Sequence, residues 1–186
     1  MRALNCWPPI NFYRMPILPA SFREGRVFSP SANYTRIHLL KLHGSINWHY
    51  SGEIGATSEQ IYYSEGYVPD LVPFIIPPVL DKNSSYTHTT LKTLWSFGAD
   101  YLKLANEIYI IGYSLPETDL PVNFYLQENI RPGAKVYVIN KPTNSDVLNK
   151  LKERYAQILP EGISLNFDFC SVDGNPIEKF IQEKLS

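Results

Sequence analysis

The stretch EIYIIGYSLP, residues 107–116, decides the fold of this chain of 186 residues. Its apolar run ends at Gly112, and a polar turn follows up to Pro116. This pattern is typical of a buried parallel strand whose carboxyl end opens into a glycine turn. The stretch KVYVIN, residues 135–140, repeats the pattern and ends in an asparagine. Both predicted strands therefore end in residues that can contact a ligand.

Amphipathic helical patterns alternate with these strands. Residues 90–105 place five apolar side chains largely on one face: Leu91, Leu94, Trp95, Leu102 and Leu104. Residues 145–159 do the same with Val147, Leu148, Leu151, Tyr155 and Ile158. A strand over residues 163–169 and a helix over residues 175–185 complete a βαβαβα run. We therefore predict an α/β fold, a Rossmann-like and mostly parallel sheet with flanking helices.

A second pattern supplies a candidate catalytic residue. The apolar stretch IHLLKL, residues 37–42, predicts another buried strand, and His43 and Gly44 follow it. A neutral imidazole, with an ordinary pKa of about 6.5, can accept a proton near pH 7. Gly44 has no side chain to block an approaching ligand. The alternative interpretation is that His43 is a structural residue held by hydrogen bonds. Because right-handed crossovers bring strand ends to one edge, we expect His43 to converge with the two strand ends described above.

Other residues in these segments are expected to be structural. Thr118 or Asp119 would cap the helix that follows the polar turn, with Pro121 in its first turn. The aromatic side chains of Trp48, Trp95 and Phe97 are expected in the core.

Three separated motifs resemble the sirtuin-like NAD-binding proteins of the silent-information-regulator type, in particular the bacterial branch that lacks zinc. The stretch KLHGSINW, residues 41–48, is similar to the histidine-glycine motif of that branch. The stretch IGYSLPETD, residues 111–119, looks like its ribose-contacting loop, and VIN, residues 138–140, looks like the strand that ends in an asparagine near the adenosine ribose. The resemblance covers roughly residues 37–186.

The resemblance implies NAD as the cofactor and His43 as the catalytic residue. It also implies five residues in contact with the nucleotide: Gly44, Gly112, Tyr113, Ser114 and Asn140. Ordinary strand-to-helix turns are the alternative interpretation of these positions. The implied function is an NAD-binding domain of the NAD hydrolase type, similar to defence-associated bacterial proteins that degrade NAD. Deacylation is the less favoured activity, because no acyl-lysine groove is recognisable.

Two motifs of a complete member of that family are missing from the part of the sequence before His43. A Gly-Ala-Gly turn would hold the pyrophosphate at a helix amino terminus, and an Asn-x-Asp motif would orient the nicotinamide ribose. Neither motif occurs before His43 in the sequence, so the sheet would lack its first glycine-turn strand, as the carboxyl-terminal portion of such a domain would. We expect little hydrolysis by this chain alone, and assembly with a second copy or with a partner that supplies the missing segment. The alternative function is a non-catalytic remnant or a protein-interaction module.

Prolines and polar residues suggest how the chain is organised. Five of the first thirty residues are prolines, which predicts an extended proline-rich lead-in over residues 1–36. The partial sirtuin-like domain would occupy residues 37–186. A small polar insertion is expected at residues 49–72, with one hairpin strand over residues 60–64.

Composition excludes several classes of function. A net charge of -1 without a basic run argues against direct nucleic-acid binding. No apolar stretch approaches about 18 residues and no signal-peptide core is present, so we expect no membrane span and a cytoplasmic location. The two cysteines, Cys6 and Cys170, cannot build a four-cysteine zinc module. Metal-ligand spacing is also absent from His38, His49 and His88, so no metal site is expected.

Overall fold

The structure is a computed structural model that describes residues 39–50, 62–63, 69–75 and 89–185. Two compact units divide the chain, residues 1–98 and residues 99–186. The predicted lead-in of residues 1–36 lies outside the described residues, as do Cys6, His38 and His88.

The described part of the first unit contains a small antiparallel sheet. Strand β1 (Gly44–Tyr50) lies between β2 (Tyr62–Tyr63) and β3 (Val72–Ile75), and helix α1 (Thr89–Leu104) follows in the chain. The short strand β2 lies inside the predicted hairpin strand of residues 60–64. Among the described residues of this unit, the buried apolar core consists of one residue from β1, one from β3 and two from α1: Trp48, Phe74, Leu91 and Leu94.

The prediction of a buried parallel strand over residues 37–42 is wrong for the described residues 39–42. These residues form coil and the start of a turn, which the backbone amide of Gly44 closes by donating to the carbonyl of Lys41 at 3.0 Å. The strand begins only after that turn, and both of its partners are antiparallel. A short apolar run does not distinguish a strand from another buried segment, and here Leu40 and Leu42 pack against the core from outside the sheet.

The second unit contains a three-stranded parallel sheet. Its strands are β4 (Glu107–Ile111), β5 (Lys135–Asn140) and β6 (Ser164–Cys170), in the order β4-β5-β6. Helix α2 (Leu120–Asn129) connects the first two strands, α3 (Ser145–Ile158) connects the next two, and α4 (Pro176–Lys184) follows β6. These bounds agree with the predicted strands and helices to within one residue wherever both ends were predicted.

Strand β5 is buried on both faces. Val136 and Val138 enter one core, which also contains residues of α3 and is contacted by α2. Tyr137 and Ile139 point to the opposite face and pack with Phe169 and Phe180, so α4 covers that side. A strand buried on both faces requires helices on both sides of the sheet. The α/β class is therefore confirmed, as a three-stranded parallel sheet flanked by helices that is compatible with a Rossmann-like fold.

The predicted core residues are buried or half-buried, with two exceptions. Trp48 is buried in the first unit, and Trp95 is half-buried against the same core. Leu104 is 77% exposed and Val147 is 42% exposed. Leu104 lies thirteen residues after Leu91, which places it about 140° away around a helix of 3.6 residues per turn. Helical spacing, read strictly, would have excluded it from the apolar face.

Candidate functional site

Gly112 directly follows β4 and turns the chain out of the sheet. Its φ of +73° lies in the left-handed region that favours glycine. Its backbone amide donates to the carbonyl of Ile139 on β5 at 2.9 Å. A Cβ atom built on Gly112 would meet no heavy atom of the described structure within 4 Å, apart from its chain neighbours. This position combines a fixed turn with open space beside the backbone.

The carbonyl of Tyr113 accepts two side-chain hydrogen bonds. Asn140 Nδ2 donates one of them from the end of β5 at 3.2 Å, and the hydroxyl of Tyr155 donates the other from α3 at 2.8 Å. Burial raises the pKa of Tyr155 well above its usual range, so this hydroxyl keeps its proton at neutral pH. Two donors use both lone pairs of the carbonyl. The turn is therefore held by β5 and α3 together.

Two further hydrogen bonds hold the same turn. Arg154 Nη1 donates to the carbonyl of Ser114 at 2.8 Å. The Tyr113 hydroxyl donates to Asp119 Oδ2 at 2.8 Å, and burial first, then this bond, raises the pKa of Tyr113 above its usual range. Asp119 occupies the N-cap position of α2 but makes no side-chain cap, whereas Pro121 lies in the first turn as predicted. The prediction that Thr118 or Asp119 caps α2 is therefore wrong, and the Asp119 carboxylate holds Tyr113 instead.

Leu115 fixes the far side of the turn. Its φ of +50° is unusual for a residue other than glycine, and its side chain is fully buried in the core that contains Val136, Val138 and Tyr155. Such a backbone conformation costs about 1–2 kcal/mol and persists only where the surrounding structure determines it. The burial of this side chain supplies that constraint, so the segment from Gly112 to Leu115 is held in one conformation.

Asn140 presents an oxygen atom of defined orientation next to the turn. The carbonyl of Tyr113 can only accept a hydrogen bond, so the Asn140 amide nitrogen must face it and Oδ1 must face away. The backbone of Asn140 is also held, because the amide of Ser171 donates to its carbonyl at 3.3 Å. Asn140 therefore offers a fixed acceptor beside the open space at Gly112.

Only α3, of the two helices that follow β4 and β5, has a side-chain cap at its amino terminus, but both helices have a carboxylate at or next to that end. Asn144 caps α3 through its own side chain, which accepts from the amide of Val147 at 2.9 Å. Asp146 lies in the first turn of α3, and Asp119 lies at the start of α2. Carboxylates at these positions oppose a second anion. This edge of the sheet suits uncharged hydroxyl groups better than a pyrophosphate.

His43 lies in the turn before β1, in the first unit. Its ring is half-buried and meets Trp95 edge to face, with 6.1 Å between the ring centroids. Trp95 Nε1 also donates to the carbonyl of Leu42 at 3.0 Å. The histidine turn is therefore attached to α1 by the same indole that packs against the imidazole.

Gly44 has a packing role that the sequence did not indicate. Its φ is +79°, and a Cβ atom built on it would lie 2.0 Å from the carbonyl oxygen of Phe74 on β3. Only glycine permits this close approach of two strands. Contact between Gly44 and a nucleotide stays a prediction.

The structure brings four of the six predicted site residues together in the second unit: Gly112, Tyr113, Ser114 and Asn140. His43 and Gly44 belong to the first unit, and their convergence with the other four stays a prediction. Arg154 has no role predicted from the sequence, and Tyr155 is predicted only as a core residue. A signal was present, because a buried tyrosine needs a partner for its hydroxyl.

No protein-family model, curated protein or solved structure matches this chain. Among the described residues, no group of three or more His, Cys, Asp or Glu side chains could hold a metal ion. No helix in that part of the chain is both long and apolar enough to cross a membrane.

Proposed function

We propose that this chain is a Rossmann-like, sirtuin-like NAD-binding domain of the NAD hydrolase type that works in the cytoplasm. The observation that carries the proposal is the hydrogen bond from Asn140 to the Gly112–Leu115 turn, at the carboxyl ends of two adjacent parallel strands. Open α/β sheets bind nucleotides at this edge. The resemblance of residues 111–119 to a ribose-contacting loop supports the same assignment.

The ribose of NAD or ADP-ribose fits the groups at this edge. A ribose hydroxyl both donates and accepts, and Asn140 Oδ1 is a fixed acceptor for it. The backbone amides of Ser114 and Leu115 make no backbone hydrogen bond in the part of the chain that the structure describes. These amides can donate to ribose oxygens, and the exposed Ser114 adds a hydroxyl. The open space at Gly112 leaves room for the sugar beside these groups.

Cleavage of NAD requires more than this edge provides. NAD itself contains the bond to be broken, between nicotinamide and ribose, and His43 is the proposed general base for a ribose hydroxyl. General base catalysis contributes about 10²–10⁴ in rate. Positioning contributes up to about 7–11 kcal/mol, and it depends largely on the Gly-Ala-Gly and Asn-x-Asp motifs, neither of which occurs before His43 in the sequence. We therefore expect this chain to bind the nucleotide without cleaving it efficiently on its own.

Calorimetric titration of the full chain with ADP-ribose tests the binding edge. Asn140→Ala removes the fixed acceptor and should weaken binding by about 1–3 kcal/mol. Asn129→Ala is the matched control. This variant also loses a side-chain hydrogen bond, from Asn129 Nδ2 to the carbonyl of Tyr125 at 2.7 Å, but Asn129 lies at the end of α2 and not at the proposed binding edge. Equal affinity in the wild type and both variants would contradict the assignment of Asn140.

Nicotinamide release from NAD tests the catalytic part of the proposal. We expect little or no release by the chain alone. Measurable release that disappears in His43→Ala would overturn that expectation and would establish His43 as a catalytic residue.

A protein-interaction module is the second candidate function, and exposed apolar side chains of the second unit favour it. Leu104, Leu120 and Phe124 are 77%, 55% and 59% exposed, and exposed apolar surface of this kind can become buried where two protein chains associate. A second copy of this chain is the partner we propose. Sedimentation equilibrium of the full chain tests this, since a dimer is expected and a monomer at all accessible concentrations would argue against it.

A further inference from the structure

We propose that Tyr155 and Arg154 of α3 are positioning residues that aim two backbone amides of the Gly112–Leu115 turn at the ligand. The inference rests on the proposed function, because it concerns the same binding edge. It assigns a role to two side chains that lie behind the turn and need no contact with the nucleotide.

The two side chains are neighbours in sequence and hold neighbouring carbonyls. Tyr155 donates to the carbonyl of Tyr113 at 2.8 Å, and Arg154 donates to the carbonyl of Ser114 at 2.8 Å. The Tyr155 ring is fully buried and meets Phe167 edge to face, with 5.9 Å between centroids. Its hydroxyl therefore has a fixed position, which the turn must match.

Because a peptide group is planar, the two bonds to the carbonyls also fix the direction of the amides of Ser114 and Leu115. The carbonyl and the amide of a trans peptide point in opposite directions, and no described peptide bond of this chain is cis. When the carbonyls of Tyr113 and Ser114 point toward α3, the amides of Ser114 and Leu115 must point away from it. These are the two amides that we propose donate to a ribose. The helix α3 thus sets the direction of the donors without occupying the site.

Arg154 as a whole is only half-buried, but the burial of one guanidinium nitrogen indicates that this side chain is held for its bond to the turn. Its Nε atom is buried and has no hydrogen-bond partner among the described residues. An unsatisfied buried donor is unfavourable, so the side chain keeps this position at a cost. A flexible surface arginine would instead turn its guanidinium into water.

Tyr155→Phe is the variant that tests the proposal, with Tyr109→Phe as the matched control. Both changes remove one hydroxyl and keep the ring. The Tyr109 hydroxyl donates to Glu107 Oε2 at 2.7 Å, and the Tyr109 ring stacks on Tyr137, on the sheet face that α4 covers. Arg154→Lys is a second variant, because it keeps the charge but loses the planar fork of donors.

Two measurements on the full chain are needed. Backbone ¹⁵N relaxation without ligand reports the order of the turn, and order parameters of residues 112–115 should fall from about 0.85 toward 0.6 in Tyr155→Phe. Titration with ADP-ribose should show a dissociation constant about 3- to 10-fold higher in Tyr155→Phe, and higher also in Arg154→Lys. Tyr109→Phe should leave both quantities unchanged.

The outcomes separate this inference from the proposed function. Unchanged order parameters in Tyr155→Phe would overturn the inference, and so would a disordered turn with unchanged affinity for ADP-ribose. If the wild-type chain does not bind ADP-ribose, the proposed function fails, and the relaxation data alone decide whether Tyr155 holds the turn.

Discussion

Replacing Gly112 by alanine separates the backbone role of this residue from its role in ligand binding. An L-residue at a φ of +73° is strained. Alanine also reduces the entropy of the unfolded chain, which offsets part of this strain. The free energy of unfolding should therefore fall by about 1 kcal/mol. The new Cβ atom meets no described heavy atom within 4 Å, so no clash adds to this. For a chain of this size, the thermal midpoint should fall by about 2–4 °C.

The same methyl group should have a larger effect on the ligand. It occupies the open space beside the turn, where we place the ribose. A misfit of one methyl group costs about 1–3 kcal/mol, which corresponds to a dissociation constant roughly 5- to 150-fold higher. Titration of Gly112→Ala with ADP-ribose measures this loss directly.

Gly133→Ala provides the matched control. Gly133 also has a positive φ, +84°, and a Cβ atom built there has no described heavy atom within 4 Å. Gly133, however, precedes β5 and so lies at the amino ends of the strands, away from the proposed binding edge. Its thermal midpoint should fall by the same few degrees while its affinity for ADP-ribose stays at the wild-type value. Wild-type affinity in Gly112→Ala, or an equal loss in both variants, would refute the reasoning.

Three further variants test the packing and the electrostatics. Gly44→Ala should destabilise the first unit by about 2–4 kcal/mol in urea unfolding, because its Cβ would lie 2.0 Å from the Phe74 carbonyl oxygen; a loss below about 1 kcal/mol would contradict the close strand approach. Leu115→Ala should lower the free energy of unfolding by about 2–5 kcal/mol, measured in the same way, because a fully buried side chain is lost; a loss typical of a surface residue would be inconsistent with this burial. The hydrogen bond to Glu107 raises the pKa of Tyr109 from 10 to about 12, so its contribution to stability should be complete below pH 10 and should disappear as the pH rises to about 12. Tyr109→Phe should flatten this part of the pH profile, and an unchanged alkaline slope would argue against the bond.

The second unit could be predicted because its strands carry an unambiguous pattern. Residues 136–139 are four consecutive buried residues, as a parallel strand between two layers of helices requires. The first unit carries no such pattern. The pairing of β1 with β3 shifts register between Ser45 and His49, so neither a period of 2 nor a period of 3.6 describes its side chains. The apolar run before it therefore looked like the strand.

The candidate site was predictable only where it lies at strand ends. Gly112 and Asn140 each end an apolar run, so their place at one edge of a parallel sheet follows from topology. Arg154 and Tyr155 lie about forty residues after the turn that they hold. Helical periodicity places Tyr155 on a buried face, but it does not show which carbonyl a hydroxyl or a guanidinium reaches. That depends on the rotation of α3 against the sheet.

The thermal midpoint of the full chain, with and without excess ADP-ribose or NAD, tests most directly whether the ends of β4 and β5 form a nucleotide site. A ligand at about 100 times its dissociation constant adds about 2.7 kcal/mol to the native state, which raises the midpoint of a chain of this size by roughly 5–11 °C. We predict a cooperative transition that rises with either ligand. A cooperative transition at an unchanged temperature with both ligands would contradict the nucleotide site and would favour the interaction module.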